Sequence, residues 1–199
     1  MLQANGAGSV PERMTSHPAV ASGTTQTDHG VGLTRQPFAH CGVVARNGSD
    51  SLSRGGLVTM DGNRWSRPGE PTIYLGSDTA VALAEFARHL DPDSPVVGGL
   101  WTVDVELDRV VDLRHVDART GAALPDDPRW LLDRERCRSL AAAFRIRGAQ
   151  GLIVSSVAFM DQPERWNLVV FADRLDGLER SIAKPSRLAL IRPTDVSRS

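Results

Sequence analysis

The stretch 62-GNRWSRPGEPTIYLGSDTAVALAEFARHL-90 sets a glycine-bounded turn, a strand and a helix in immediate succession. Pro71 to Gly76 reads as the strand. Ser77 or Asp78 suits the N-cap of a helix running to about Leu90, where His89 and then Pro92 fit a helix end. Within Ala80 to Ala87, Glu85 is the only non-apolar side chain. A carboxylate in such a run costs on the order of 2 to 7 kcal/mol unless it is paired or opens into a cleft. Glu85 is therefore a candidate site carboxylate. Beside it in the sequence lie Arg64, held between Gly62 and Gly69, and Tyr74, the only tyrosine of the chain.

Working outward, Phe38 to Ala45 reads as a first short strand, and Asn47 to Gly69 as a glycine-rich loop long enough to suggest binding rather than mere connection. Downstream, Trp101, Val103, Val105 and Leu107 alternate on one face of a strand over Leu100 to Leu107, with Val110 to Leu113 continuing or following it. A second helix is predicted from about Asp133 to Arg147, stopped by Gly148. Gly151 to Ser155 and Trp166 to Ala172 give two more strands. The apolar LVVF run of the latter suggests a central position, and Leu188 to Ile191 reads as a last strand. Strands outnumber helices and do not alternate regularly with them, which favours an α+β fold over a doubly wound sheet. Residues 1–32 are rich in Gly, Ser, Thr, Pro and Gln without periodicity and read as a disordered leader, leaving 33–199 as a single domain.

Composition narrows the function classes. A formal net charge of -1, with no block of like charges, argues against a dedicated nucleic-acid surface. Cys41 and Cys137 have no metal-ligand spacing, and one possible pair is no disulfide framework, so reduced thiols and a cytoplasmic setting are expected. No apolar run approaches membrane-spanning length, and no signal peptide is evident. Lysine occurs only at Lys184 while arginine fills the other basic positions, a bias typical of a GC-rich genome. P-loop, Rossmann, zincin, CxxC and nucleophile-elbow patterns are all missing. The five histidines are scattered, which speaks against a metal site.

Each remaining candidate carries a bland reading beside a sharp one. Arg64 is either a surface arginine or a phosphate contact. Tyr74 is either core or a flat ring offered to a ligand with its hydroxyl free to bond. Glu85 is either a buried ion-pair partner of Arg88 or Arg64, or a site carboxylate. Ser155 and Ser156 are turn residues, or hydroxyls turned into a crevice at a strand's C-terminal end. Asn167 either pins a neighbouring loop or faces a ligand.

Taken together, GNRWSRPGEPTIYLG, TAVALAEFARHL, GLIVSSVAF and WNLVVFADRL resemble the RES-domain family, in the family's order, over about Phe38 to Leu175. The resemblance implies an ADP-ribosyltransferase-like split β-sheet core with flanking helices. It implies a bacterial toxin that degrades NAD at the nicotinamide–ribose bond, with NAD as substrate rather than as a prosthetic group. Cleavage would proceed by phosphorolysis, taking inorganic phosphate as co-substrate, or by hydrolysis. It further implies an Xre-type antitoxin partner that covers the site. Carried over by motif, Glu85, Arg64 and Ser156 become catalytic, with Ser156 preferred because Ser155 occupies the place where the family often has a proline. Tyr74, Arg64, His40, Ser155 and Asn167 become substrate contacts. One departure stands out. The family usually carries a further arginine on the first strand, where this chain reads QPFAHCGVV, leaving His40 in that segment or Arg35 or Arg46 nearby as substitutes. Two other functions suit the same residues: a protein ADP-ribosyltransferase, and an inactive module that binds NAD or an antitoxin.

Overall fold

The computed structural model describes residues 38–47, 51–90 and 98–191. The expected leader, 1–32, lies outside them, as does the residue Arg35. In chain order the elements are β1 (Phe38–Asn47), α1 (Arg54–Leu57), β2 (Thr72–Gly76), α2 (Thr79–Ala87), β3 (Gly98–Leu107), β4 (Val110–Asp112), α3 (Val116–Gly121), α4 (Arg134–Ile146), β5 (Gly151–Ser155), β6 (Trp166–Phe171), α5 (Leu178–Ser181) and β7 (Ser186–Ile191). The fold is α+β, as the irregular order of strands and helices implies.

The local logic of the sequence holds in the main elements. Trp101, Val103, Val105 and Leu107 of β3 are buried while Asp104 and Glu106 are exposed, the period-two pattern of a strand with one covered face. The Leu168 to Phe171 run is buried throughout, as a strand covered on both faces requires. Asp78 caps α2 by accepting from Val81 N at 2.9 Å, and Asp133 caps α4 by accepting from Arg136 N at 3.0 Å. Gly148, at φ 85°, ends α4 in the left-handed region that a glycine tolerates. Two segments are more structured than the sequence suggested. The long loop after β1 contains α1 and a bridge from Thr59 to Thr72, and the stretch before α4 contains α3 and a 3-10 turn over Pro128–Leu132.

The strands form one sheet in the order β4-β5-β6-β2-β1-β3-β7. Among the described residues only β4 and β5 pair in parallel; the other pairings are antiparallel. β1 pairs with β3 along its whole length, Phe38 opposite Leu107 through Asn47 opposite Gly98. Against β2 it makes a single pair, Val43 opposite Gly76. The sheet is thus split into β4-β5-β6-β2 and β1-β3-β7, joined at one point and parting beyond it. An apolar core spans the split on one face, with Ile73, Leu75, Leu168 and Val170 packed with Trp101, Val103 and Val105, and Leu57 of α1 and Ile182 beyond α5 over them. On the opposite face α4 lays Cys137, Ala141 and Phe144 onto Leu152, Val154, Val169 and Phe171. α2 packs its Ala82, Leu83 and Phe86 against Val43, Leu100 and Ile191. At roughly 1.5 to 3 kcal/mol for each large apolar side chain withdrawn from water, these cores hold the two half-sheets together despite their single hydrogen-bonded seam.

Candidate functional site

Where β1 and β2 part, a cavity of about 350 Å³ opens. Its walls come from β1, the 59–65 segment, β2, α2, the start of α4, and the ends of β5 and β6. Among its lining side chains are Arg64, Tyr74 and Glu85 from the 62–90 stretch and Ser155 and Asn167 from far downstream.

Gly76 sets the position of Glu85. A Cβ added there would come 2.9 Å from the backbone N of Ala82, so the absence of a side chain lets α2 settle directly onto β2. Glu85 then lies beside Asn167, the residue paired with Gly76 across the ladder. Its Oε1 accepts 2.7 Å from Ser156 Oγ and 3.1 Å from Asn167 Nδ2. Oε2 has no such donor among the described residues. It faces Arg88 Nε at 3.8 Å, and the side chain keeps 26% of its surface exposed. One oxygen is anchored and the other is open to the cavity.

The two serines have different duties. Ser156 is wholly buried; its Oγ donates to Glu85 and accepts from Ala158 N at 3.2 Å, so it holds the carboxylate from behind. Ser155 lines the cavity at the end of β5.

Arg64 is presented by a tightly bound turn. Asn63 N donates to Ser66 O and Oγ, Arg64 N donates to Asn63 Oδ1, and Gly69 N donates to Met60 O. Gly62 has φ 77°, and a Cβ there would lie 2.7 Å from Pro68 N, so glycine is required. α4 grips the same turn. Arg138 Nε donates to Asn63 O at 3.0 Å and Arg67 pairs with Glu135, while Arg64 itself donates to Leu131 O of the preceding 3-10 turn. Burial, with Arg134 and Arg88 nearby, lowers the Arg64 pKa, partly opposed by Cys137 and Glu85. It remains a cation, held close to two others.

Tyr74 offers less than the sequence suggested. Its hydroxyl is bonded to Ser66 Oγ at 3.0 Å, so the phenol braces the turn and only the ring is left for a ligand. Burial pushes its pKa up, which keeps it protonated. His40 does not line the cavity. It lies on Trp166, ring centroids 4.6 Å apart, and burial together with Arg114 lowers its pKa, which favours the neutral ring. Of the first strand, Val43, Val44, Ala45 and Arg46 line it, and Arg46 is the charged one.

The sequence also gave little sign of Arg88 and Arg134, which complete the electrostatics. Arg88 was visible only as the i+3 neighbour of Glu85, and Arg134 only as the opening residue of α4. Among the described residues, four arginines (46, 64, 88 and 134) line the cavity with Glu85 as the sole carboxylate. Such a lining suits an anionic ligand, with one Glu85 oxygen held by its donors and the other turned to the cavity. Cys137, beneath Arg64, is no nucleophile: burial pushes its thiol up to about 11. Among the described residues no cluster of His, Cys, Asp and Glu is placed to hold a metal, and no helix is long and apolar enough to cross a membrane.

Comparison with known proteins agrees with this architecture. No curated protein matches the chain. A chain in the crystal structure of the M.tuberculosis MbcT-MbcA toxin-antitoxin complex has a similar fold, with a TM-score of 0.57 and 23% sequence identity over 76% of this chain and 85% of that chain. The RES domain matches residues 46–192, well over half the sequence, so the chain belongs to the RES-domain family.

Proposed function

We propose that the cavity binds NAD and breaks its nicotinamide–ribose bond, making the protein a toxin that depletes NAD until an antitoxin covers the site. The observation that carries this reading is the asymmetric setting of Glu85, with Oε1 tied to Ser156 and Asn167 and Oε2 open among arginines. Nicotinamide is a cationic ring while bonded to the ribose and leaves as a neutral one, its nitrogen taking the bonding pair, so the step needs no general acid. It needs negative charge beside the ribose carbon as that carbon becomes oxocarbenium-like, and a carboxylate held by two donors supplies it without reorganising. Arg64, Arg88 and Arg134 bind phosphate, and Tyr74 presents its ring to the ligand.

Inorganic phosphate is the acceptor this cation-rich wall favours. Its oxygen forms the new bond to C1″ as the bond to nicotinamide nitrogen breaks, giving nicotinamide and ADP-ribose 1″-phosphate. The occurrence of a similar fold in a toxin-antitoxin complex supports a protein partner, for which an Xre-type antitoxin is the expectation from the family. The reading is tested by incubating the purified protein with NAD, with and without inorganic phosphate, and identifying the ribose product. Phosphate-dependent release of nicotinamide with a phosphorylated ADP-ribose is expected. Release that ignores phosphate would replace phosphorolysis by hydrolysis, and no release would remove the NAD reading.

A further inference from the structure

The two ends of the sheet are built differently. At one end β4 is three residues long with Val110 and Val111 buried, a short and covered edge. At the other, β7 runs six residues, and every residue from Ser186 to Leu190 is exposed. Its inner edge pairs with β3 from Thr102 to Gly98. Among the described residues no backbone hydrogen bond is made at its outer edge. A strand of this length left unpaired is a template for another strand.

The edge also carries apolar surface. Leu188 and Leu190 are 53% and 52% exposed. The ladder explains both. The register shifts between Leu100 and Trp101, which leaves Leu188 without a partner on β3. Leu190 is paired with Gly99, and a Cβ added to Gly99 would come 2.4 Å from the Trp101 ring, so the space across that pair is already filled. Bulges often blunt an edge, but this one leaves a leucine in water.

Charge selects the occupant. Over residues 178–191 the cations Arg180, Lys184 and Arg187 stand against a single acid, Glu179. All three cations are exposed, and none forms an ion pair among the described residues. Pairing β7 with β7 of a second copy would bring both sets of cations to one seam, which like-charge repulsion opposes. An acidic strand meets them with opposite charge.

We propose that the outer edge of β7 receives an extended segment of a partner protein, with apolar side chains that meet Leu188 and Leu190 alternating with acidic ones that meet Arg187 and Lys184. Main-chain hydrogen bonds to the unpaired edge supply affinity, and the alternate side chains supply selectivity. Among the described residues none of β7 lines the cavity, and β3 stands between β7 and the cavity-lining β1. The docking edge is therefore independent of what the cavity binds.

The test is amide hydrogen exchange of the full chain, read residue by residue across 186–191, with three capped hexapeptides added in turn at low salt. The peptides alternate glutamate with valine, alternate lysine with valine, or repeat the glutamate–valine sequence with every amide N-methylated. The glutamate–valine peptide should slow exchange over 186–191 and bind about 5-fold or more tighter than the lysine–valine peptide, the ratio expected of a few exposed charge contacts. The N-methylated peptide keeps its side chains but cannot donate, so it should give no protection. Arg187→Glu should shift the preference toward the lysine–valine peptide, and Leu188→Glu should weaken the glutamate–valine peptide about 5-fold or more. Both replace exposed side chains, and either serves if the other variant is unstable. No protection within 186–191, or equal protection by all three peptides, overturns strand addition. Protection that appears without peptide and grows with protein concentration would seat a second copy at the edge and overturn the acidic partner.

Discussion

Ser156 and Ser155 are adjacent in sequence and unequal in consequence. Ser156→Ala removes the buried donor to Glu85 Oε1 and the acceptor for Ala158 N, so it should cost about 1 to 3 kcal/mol of stability, read from denaturant unfolding. It should also lower NAD cleavage by about 10-fold through the loosened carboxylate, an order-of-magnitude expectation for a lost positioning contact. Ser155→Ala leaves Glu85 and its partners untouched and should cost less than about 1 kcal/mol. Equal stability losses in the two variants would contradict the division of roles. Tyr74→Phe keeps the ring and loses the bond to Ser66, so a cost of about 0.5 to 1.5 kcal/mol with nearly unchanged turnover is expected. A collapse of turnover without loss of stability would mean that the hydroxyl serves the ligand after all. At this scale much of the site was legible. A single carboxylate in an apolar run announces itself, and a buried tyrosine announces its ring. The destination of a hydroxyl is set by tertiary packing, so nothing in YLG reveals that Tyr74 points to Ser66.

Between elements, the joint of α2 on β2 decides where Glu85 sits. Gly76→Ala places a methyl group 2.9 Å from the Ala82 backbone and forces the helix outward. It should cost about 1 to 3 kcal/mol, as overpacking does, and should reduce cleavage beyond what its stability loss explains. Gly69→Ala meets no atom within 4 Å and pays only for its φ of 86°, so its effect should be on stability alone, about 1 kcal/mol. Matched activities in the two variants would sink the argument that Gly76 positions the carboxylate. The periodicity of the sequence revealed β3, β5, β6, α2 and α4 because each has a covered face or a cap that the residues spell out. It missed α1, α3 and α5, whose lengths of four to six residues leave no room for a period to show. Arg134 was hidden for a related reason: where the start of α4 faces depends on a sheet order that no local pattern encodes.

At the scale of the molecule, the single-pair seam between two half-sheets places the cavity, and His40 stands across that seam. β1 carries it against Trp166 of β6, where burial and Arg114 lower its pKa from 6.5. The unfolded chain therefore binds more protons than the fold as pH drops below that value, so His40 contributes stability above about pH 6.5 that is lost on acidification. His40→Phe, which keeps the aromatic contact, should flatten the fall in melting temperature between about pH 7 and about pH 5; an unchanged slope would show that His40 does not titrate with folding. The two halves of the sheet and their α+β character could be anticipated. The extent of their separation is a matter of register, visible only once Val43 is seen as the lone partner of Gly76. The account's central claim is that this split holds an NAD-cleaving carboxylate, and its most direct test compares nicotinamide release by the unaltered protein and by Glu85→Gln, with a melting curve for each. Glu85→Gln should lose about 10²-fold or more in release while its melting temperature holds within a few degrees, because the amide oxygen still accepts from Ser156 and Asn167. Undiminished release from a folded Glu85→Gln protein, or loss of activity only through unfolding, would contradict it.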